Sequence, residues 1–266
     1  MNPSGRTVLL TGATGGLGRA IAFALAARGA RLVLSSRKAA ALEEMVSALP
    51  GDGHRAIAAD LAEPGAALAL AVDAGDIEIL VANAGLPASG RMEDFTPQEV
   101  ERALRVNLEA PVLLAQTLAP EMAERGSGHL VFVSSLSGKS PSPRSSVYNA
   151  TKFGLRGFAL GLRADLQGSA VGSSIVSPGF IRNAGMFADA GSKAPSGLGT
   201  STPEAVGAAV VKAIEQDKVE VTVAPPHQRA LAHLALASPS LAVRATAGAA
   251  GQKAAADVAA GQTDKR

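Results

Sequence analysis

The chain has 266 residues, enough for one large α/β domain with a core of its own, and its formal charge of +2 is too small to argue for a nucleic-acid partner. Apolar residues make up 47% but aromatics only 3%, so the core is expected to rest on small side chains and close-packed helices, with no aromatic platform for stacking bases. There is no cysteine, which excludes disulfides and thiolate metal sites, and the histidines at 54, 129, 227 and 233 share no ligand spacing.

Strand and helix patterns alternate along the chain. A short apolar strand over 7–10 leads into a helix over 16–28 that Gly29 closes. A strand over 31–35, a helix over 38–49 stopped by Pro50-Gly51 and a strand over 55–59 follow. Next come an alanine-rich helix over 66–74, an apolar strand over 77–82 and a long helix over 97–124, which Pro111 is expected to bend. A glycine turn at 126–128 leads to a strand over 129–133, a helix over 147–167 and a sixth strand over 171–176, broken by Ser177-Pro178-Gly179.

The alternation predicts an α/β fold: a single Rossmann-like, doubly wound parallel sheet with helices on both faces. Residues 180–202 lack periodicity and are expected to form a lid. A helix over 203–216 and a strand over 219–223 complete a domain spanning 1–224, with Pro225-Pro226 expected to end its compact part. Residues 225–247 read as a partly helical extension interrupted at Pro239, and 248–266 as a disordered tail. No segment reaches the ~18 apolar residues of a membrane span, and no export signal is recognised, which points to a cytoplasmic protein.

Chemistry concentrates at two places. The run Thr11-Gly12-Ala13-Thr14-Gly15-Gly16-Leu17-Gly18 lies between the first strand and the first helix. Glycine allows a sharp turn and close approach of a ligand, and a helix N-terminus offers free amides and a positive dipole to a pyrophosphate. This predicts a dinucleotide site formed by Gly12, Thr14, Gly15, Gly16, Leu17 and Gly18. The second strand ends Ser35-Ser36-Arg37 without the acidic residue that would bond a ribose 2′-hydroxyl and repel a 2′-phosphate. Ser36 and Arg37 therefore predict NADP rather than NAD.

The second place is Tyr148, the only tyrosine, four residues before Lys152 on one face of a helix. A phenol beside an ammonium is an acid whose ionised form is favoured, and the hydroxyl of Ser135 can hold a carbonyl oxygen against it. Tyr148 is thus the expected general acid and base, and Lys152 the group that lowers its pKa and bonds the nicotinamide ribose.

Together, Thr-Gly-x-x-x-Gly-x-Gly and Tyr-x-x-x-Lys resemble the short-chain dehydrogenase/reductase family over roughly residues 5–224. Ala82-Asn83-Ala84-Gly85, Asn107, Ser135 and Pro178-Gly179 fall in register with that family's further motifs. The resemblance implies that Asp60 bonds the adenine amino group with Leu61 flanking the ring, and that Asn83, Ala84 and Gly85 border the cofactor, Asn83 as a brace. It implies that Asn107 holds a water linking Lys152 to solvent, and that Pro178, Gly179, Ile181 and Asn183 approach the nicotinamide. Asn183 stands where the family often has threonine.

A homo-oligomer, dimer or tetramer, is also implied, although the chain lacks the family's closing Gly-Gly turn. The substrate is expected to be a small, largely apolar carbonyl or alcohol, met by Leu86, Pro87, Leu136, Phe180, Ile181, Met186, Phe187 and Leu198. Two other readings share the motifs: a nucleotide-binding regulator without turnover, and an epimerase or dehydratase that uses its cofactor transiently. A serine hydrolase does not fit, because no Gly-x-Ser-x-Gly elbow is present.

Overall fold

The computed structural model describes residues 1–186 and 199–262. Seven parallel strands lie in the order β3-β2-β1-β4-β5-β6-β7. They are β1 (Thr7–Thr11), β2 (Arg31–Ser36), β3 (Arg55–Ala58), β4 (Ile79–Ala82), β5 (Gly128–Val133), β6 (Val171–Pro178) and β7 (Glu220–Val223). The helices are α1 (Gly16–Ala26), α2 (Ala39–Ala48), α3 (Ala66–Ala74), α4 (Pro97–Leu104), α5 (Ala110–Glu124), α6 (Ser146–Asp165), α7 (Pro203–Glu215), α8 (Pro226–Ala237), α9 (Pro239–Thr246) and α10 (Ala249–Ala260). Strands buried on both faces need no alternation, and the central runs Val8-Leu9-Leu10 and Ile79-Leu80-Val81 are uniformly apolar and fully buried.

Each face of the sheet carries its own core. On one side Ile21, Leu25, Leu42, Val206, Val210 and Ile214 pack on Val8, Leu10 and Val131. On the other, Leu70, Leu114, Leu118 and Leu155 pack on Leu9, Leu80, Leu130 and Phe132. The low aromatic content shows in how the helices meet. A Cβ on Gly207 of α7 would stand 2.7 Å from the Ala20 carbonyl oxygen and 3.0 Å from Ala24 Cβ, so α1 and α7 touch through small residues. The strand order reverses between β1 and β4, and in open sheets of this kind ligands bind beyond the carboxyl ends of the strands at that point.

Four elements differ from the sequence reading. The long helix expected over 97–124 is three pieces, α4, a π-helical turn at Arg105–Glu109 and α5. The cause is Pro111, which has no N–H for the Asn107 carbonyl and whose ring would crowd it. Strand β6 runs on through Ser177 and Pro178, which pair with Thr222 and Val223. Pro225-Pro226 starts a helix instead of ending the packed chain: proline suits the first helical turn, and α8 buries Gln228, Ala232 and Ala235. The tail expected to be disordered contains α10, where alanine's helix propensity outweighs its small apolar area. Of the lid expected over 180–202, residues 187–198 lie outside the described residues; on either side, Ile181 bridges Ser201.

His129, at the start of β5, is 2% exposed, with Nε2 2.8 Å from Ser174 Oγ. Burial pushes its pKa down to about 4, and the Asp217 carboxylate, 4.0 Å from Nδ1, offsets only part of that. The folded protein therefore favours neutral His129, while the unfolded chain takes up its proton near pH 6.5. This contribution is intact above pH 6.5 and is lost as the pH falls toward 4, for a total on the order of 3 kcal/mol. Urea titrations should show His129→Asn losing less stability than the wild type between pH 7 and 4; parallel pH profiles would contradict the assignment.

Candidate active site

The glycine turn is built by steric necessity. Gly12 has φ +65°, a region costly for other residues, and a Cβ there would stand 2.8 Å from Ala84 Cα. A Cβ on Gly18 would collide with the Gly12 carbonyl oxygen. Gly15 donates its N–H to that oxygen at 3.2 Å. Helix α1 opens with no side-chain cap on Gly15 and no acidic residue in its first turn, which leaves its amides facing outward beside Thr14 and Gly16.

Asn83 braces this turn. Its Nδ2 donates to the Thr11 and Gly12 carbonyls at 3.0 and 3.2 Å. Thr11 Oγ1 accepts from the Asn83 and Ala84 amides at 3.1 and 3.0 Å. Thr11 ends β1, Asn83 follows β4, and these bonds tie the two strands together where the strand order reverses. The sequence reading took Thr11 only as part of the motif; its signal was a hydroxyl at the last position of a buried strand.

At the rim, Ser36 Oγ is buried without a hydrogen-bond partner and the neighbouring Arg37 is exposed. Asp60 accepts from the Ala62 amide at 3.0 Å, so its carboxylate caps a turn. Leu61 is 7% exposed and its side chain packs into the core.

Beyond β5, Ser135 starts a short 3-10 turn, Leu136–Gly138, and its Oγ accepts from the Ser137 amide at 3.1 Å. Its side chain also lies close enough to the Tyr148 phenol to favour the ionised form. Lys152 is buried; its Nζ donates to the Val133 carbonyl at 3.0 Å and lies 5.8 Å from the centre of the Tyr148 ring. Gly85 faces both Lys152 and Asn107: a Cβ there would stand 3.8 Å from Nζ and 3.4 Å from Asn107 Oδ1. The structure therefore brings Ser135, Tyr148, Lys152, Asn107 and Gly85 together.

The electrostatics reverse one expectation. Burial pushes the Tyr148 phenol up to about 12, and the nearby Ser135 offsets only part of this. Burial also pushes Lys152 down to about 8. Desolvation of the phenolate outweighs the effect of Ser135, so the phenol is held protonated instead of tuned toward ionisation.

Asn107 is fixed in place on the π-helical turn. Its side chain is committed to protein: Oδ1 accepts from the Leu86 amide at 2.6 Å, and Nδ2 donates to the Leu86 carbonyl at 2.9 Å and to Thr151 Oγ1 at 3.4 Å. Its own carbonyl lacks an α-helical donor, because Pro111 has no N–H.

Pro178 and Gly179 end β6 beside Leu136, which a Cβ on Gly179 would approach to 3.0 Å. Ile181 is buried in the core. A Cβ on Gly16 would meet Ala184 Cβ at 2.5 Å, so the segment after β6 lies on the glycine turn. Met186 Cε would stand 3.2 Å from a Cβ on Gly85, and the Met186 carbonyl accepts from Gln262 Nε2 at 3.1 Å. Gln228 Nε2 donates to the Gly199 carbonyl at 3.0 Å. Sequence reasoning missed both glutamines, because nothing local marks a glutamine as a cross-chain tie. Of the expected substrate contacts, Phe187 and Leu198 lie outside the described residues.

Three comparisons bear on this site. A family model described as short chain dehydrogenase matches residues 6–195. "Ketoacyl reductase HetN" of Nostoc sp. is 39% identical over 226 residues, 83% of this chain and 79% of the relative. A solved short-chain dehydrogenase from Sphingobium yanoikuyae in complex with NADPH superposes with a TM-score of 0.78 at 28% identity, over 90% of this chain and 95% of that one. A short chain dehydrogenase/reductase from Burkholderia phymatum in complex with NAD, 23% identical, shares the fold with a TM-score of 0.79 over 91% and 96%.

Asn183 has φ +64° and is exposed. Asparagine tolerates this left-handed backbone, whereas a β-branched residue is strained there, which explains why threonine does not stand at this position. Asn183→Thr should cost about 1–2 kcal/mol in urea unfolding, and Asn183→Gly close to nothing. Equal stability of the two variants would contradict this account.

Proposed function

This chain belongs to the short-chain dehydrogenase/reductase family of NAD(P)-dependent oxidoreductases, and from that premise we propose that it interconverts a carbonyl and an alcohol on a small, largely apolar substrate, with NADP as the preferred cofactor and Tyr148 as general acid and base. The observation that carries the reading is the buried Lys152, held at the Val133 carbonyl with its ammonium beside the Tyr148 ring, and Ser135 next to the phenol.

The residues present fit a dinucleotide. Gly12 and Gly18 let the turn close tightly on Ala84 and on itself, and the uncapped start of α1 suits a pyrophosphate held by the amides of Gly16 and Leu17 beside Thr14. The partnerless Ser36 hydroxyl and the exposed Arg37 suit a ribose 2′-phosphate. Asp60 and Leu61 would border the adenine, Asn83, Ala84 and Gly85 the middle of the cofactor with Gly85 toward Lys152, and Lys152, Pro178, Gly179, Ile181 and Asn183 the nicotinamide half. When bound, the nicotinamide exchanges a hydride with the substrate carbon.

In reduction, negative charge grows on the carbonyl oxygen, and a donor held in place stabilises it. Ser135 bonds that oxygen and sets it against the phenol. Tyr148 gives its proton to the oxygen as the alcohol forms. The resulting phenolate lies beside Lys152, whose ammonium stabilises it. A lysine with a pKa near 8 exchanges protons readily close to neutrality, and the Asn107 carbonyl is suited to hold the water that links it to solvent. In oxidation the same groups run in reverse, with phenolate as base. Met186, Leu86 and Leu136 supply an apolar surround for the substrate.

A screen of apolar ketones, followed by loss of NADPH absorbance, tests the reading. Tyr148→Phe should lower kcat about 100- to 10,000-fold and leave the NADPH Kd within about twofold. A variant keeping a tenth or more of wild-type turnover would sink the assignment. For the cofactor, Arg37→Ala should weaken NADPH about tenfold, equivalent to one charge-assisted bond of ~1.4 kcal/mol, and leave NADH unchanged. Equal wild-type affinities for the two cofactors would contradict the NADP preference.

A further inference from the structure

Among the described residues, Lys139 is the most deeply buried lysine, arginine or acid outside the proton-transfer group, at 2% exposure. It directly follows the turn that Ser135 heads, and its amide donates to the Leu136 carbonyl at 2.9 Å. Its Nζ lies 2.9 Å from Glu220 Oε1 and donates to Thr222 Oγ1 at 2.8 Å. Both partners are on β7, at the sheet's edge.

Glu220 gathers more than Lys139. Ser177 Oγ, one residue before Pro178-Gly179, donates to Oε1 at 3.0 Å. Arg156 donates through Nε and Nη2 to its two oxygens at 3.3 and 3.2 Å. Arg156 is one turn beyond Lys152 on α6. Burial works against the Glu220 charge, but Arg156 and Lys139 together hold its pKa below the usual carboxylate value. One carboxylate thus ties the Ser135 turn, the helix carrying Tyr148 and Lys152, and the strand end before Pro178-Gly179.

Packing alone does not call for a lysine here. Burying an ammonium costs several kcal/mol before its partners offset it, and an apolar side chain of similar length would fill the space more cheaply. What an ion pair adds is direction. The turn has no slack on its inner side: a Cβ on Gly138 would stand 2.6 Å from the Lys152 carbonyl oxygen and 2.9 Å from Ser134 Oγ. Ser134 Oγ in turn donates to that carbonyl at 3.2 Å. The turn is held against α6 on one side and drawn toward β7 by Lys139 on the other.

We propose that Lys139, anchored by Glu220 and Thr222, is a positioning residue for proton transfer: it sets the pose of the Ser135 turn and so the placement of the Ser135 hydroxyl beside the Tyr148 phenol. The inference rests on the proton-transfer role given above to Tyr148 and Ser135. It makes no contact with substrate or cofactor part of Lys139's task, so binding should survive its loss while turnover does not.

The test is a double-mutant cycle on kcat in the full-length protein, with NADPH and a ketone found by the screen. Lys139→Met should lower kcat about 10-fold, leave KM and the NADPH Kd within about threefold, and be largely rescued as Lys139→Arg. In a Ser135→Ala background the same change should cost less than about twofold, because the hydroxyl it places is already gone. If the loss carries over undiminished into that background, or if folded Lys139→Met turns over like the wild type, the proposal is overturned.

Should Lys139→Met fail to fold, Thr222→Val keeps the ion pair and removes only the hydroxyl partner. It should give a smaller kcat loss, about threefold, that again vanishes in Ser135→Ala; a persistent loss, or none, overturns the proposal. Normal turnover in Tyr148→Phe and Ser135→Ala would instead bring down the underlying reading, so the two failures are distinguishable.

Discussion

The site depends on setting a half-buried phenol beside a buried ammonium. Desolvation acts on them in opposite directions, raising Tyr148 to about 12 and lowering Lys152 to about 8. Both shifts favour uncharged groups, because a lone charge is costly away from water. The phenol therefore waits with its proton on, next to Ser135. Its ionisation becomes favourable only where positive charge is near, and Lys152, whose ammonium is tied to the Val133 carbonyl, is the protein's own source. Such a setting suits a group that must give up a proton during the reaction and hold it otherwise.

The fold supplies this setting by simple means. The strand order reverses between β1 and β4, and the site gathers beyond their carboxyl ends, where open sheets of this kind bind ligands. Thr11 and Asn83 fix the loops that follow those two strands with four hydrogen bonds. Pro111 disrupts the helix register at Asn107, and the Asn107 side chain holds the loop at Leu86. The carboxylate of Glu220 gathers the turn, helix and strand on the far side. Polar side chains at strand ends, on the π-helical turn and on β7, not large apolar ones, fix the surroundings of Ser135, Tyr148 and Lys152.

Much of this was legible in the sequence because the responsible signals are local. Gly12 requires a left-handed backbone and Gly18 a close approach, and both demands are visible as glycines after an apolar strand. Tyr148 and Lys152 share a helix face by spacing alone. Other features were not legible because they arise from pairs distant in sequence. Nothing near Lys139 reveals Glu220, and nothing near Gln262 reveals Met186. The π-helical turn was half visible: Pro111 predicts a disturbance, but whether it becomes a bend or a register change depends on packing. The direction of the Tyr148 shift was misread because spacing shows a neighbouring charge, while burial emerges only from the folded chain.

The Tyr148 phenol is also the one residue that can be watched directly, since the chain has one tyrosine and no tryptophan. Ultraviolet titration of the folded protein reads its ionisation without interference from other chromophores. The account predicts no phenolate absorbance below about pH 11 in the ligand-free protein, and a clear downward shift of the midpoint on saturation with oxidised NADP, whose nicotinamide is cationic. A midpoint at or below about pH 9 without ligand, or one that NADP leaves unmoved, would contradict it.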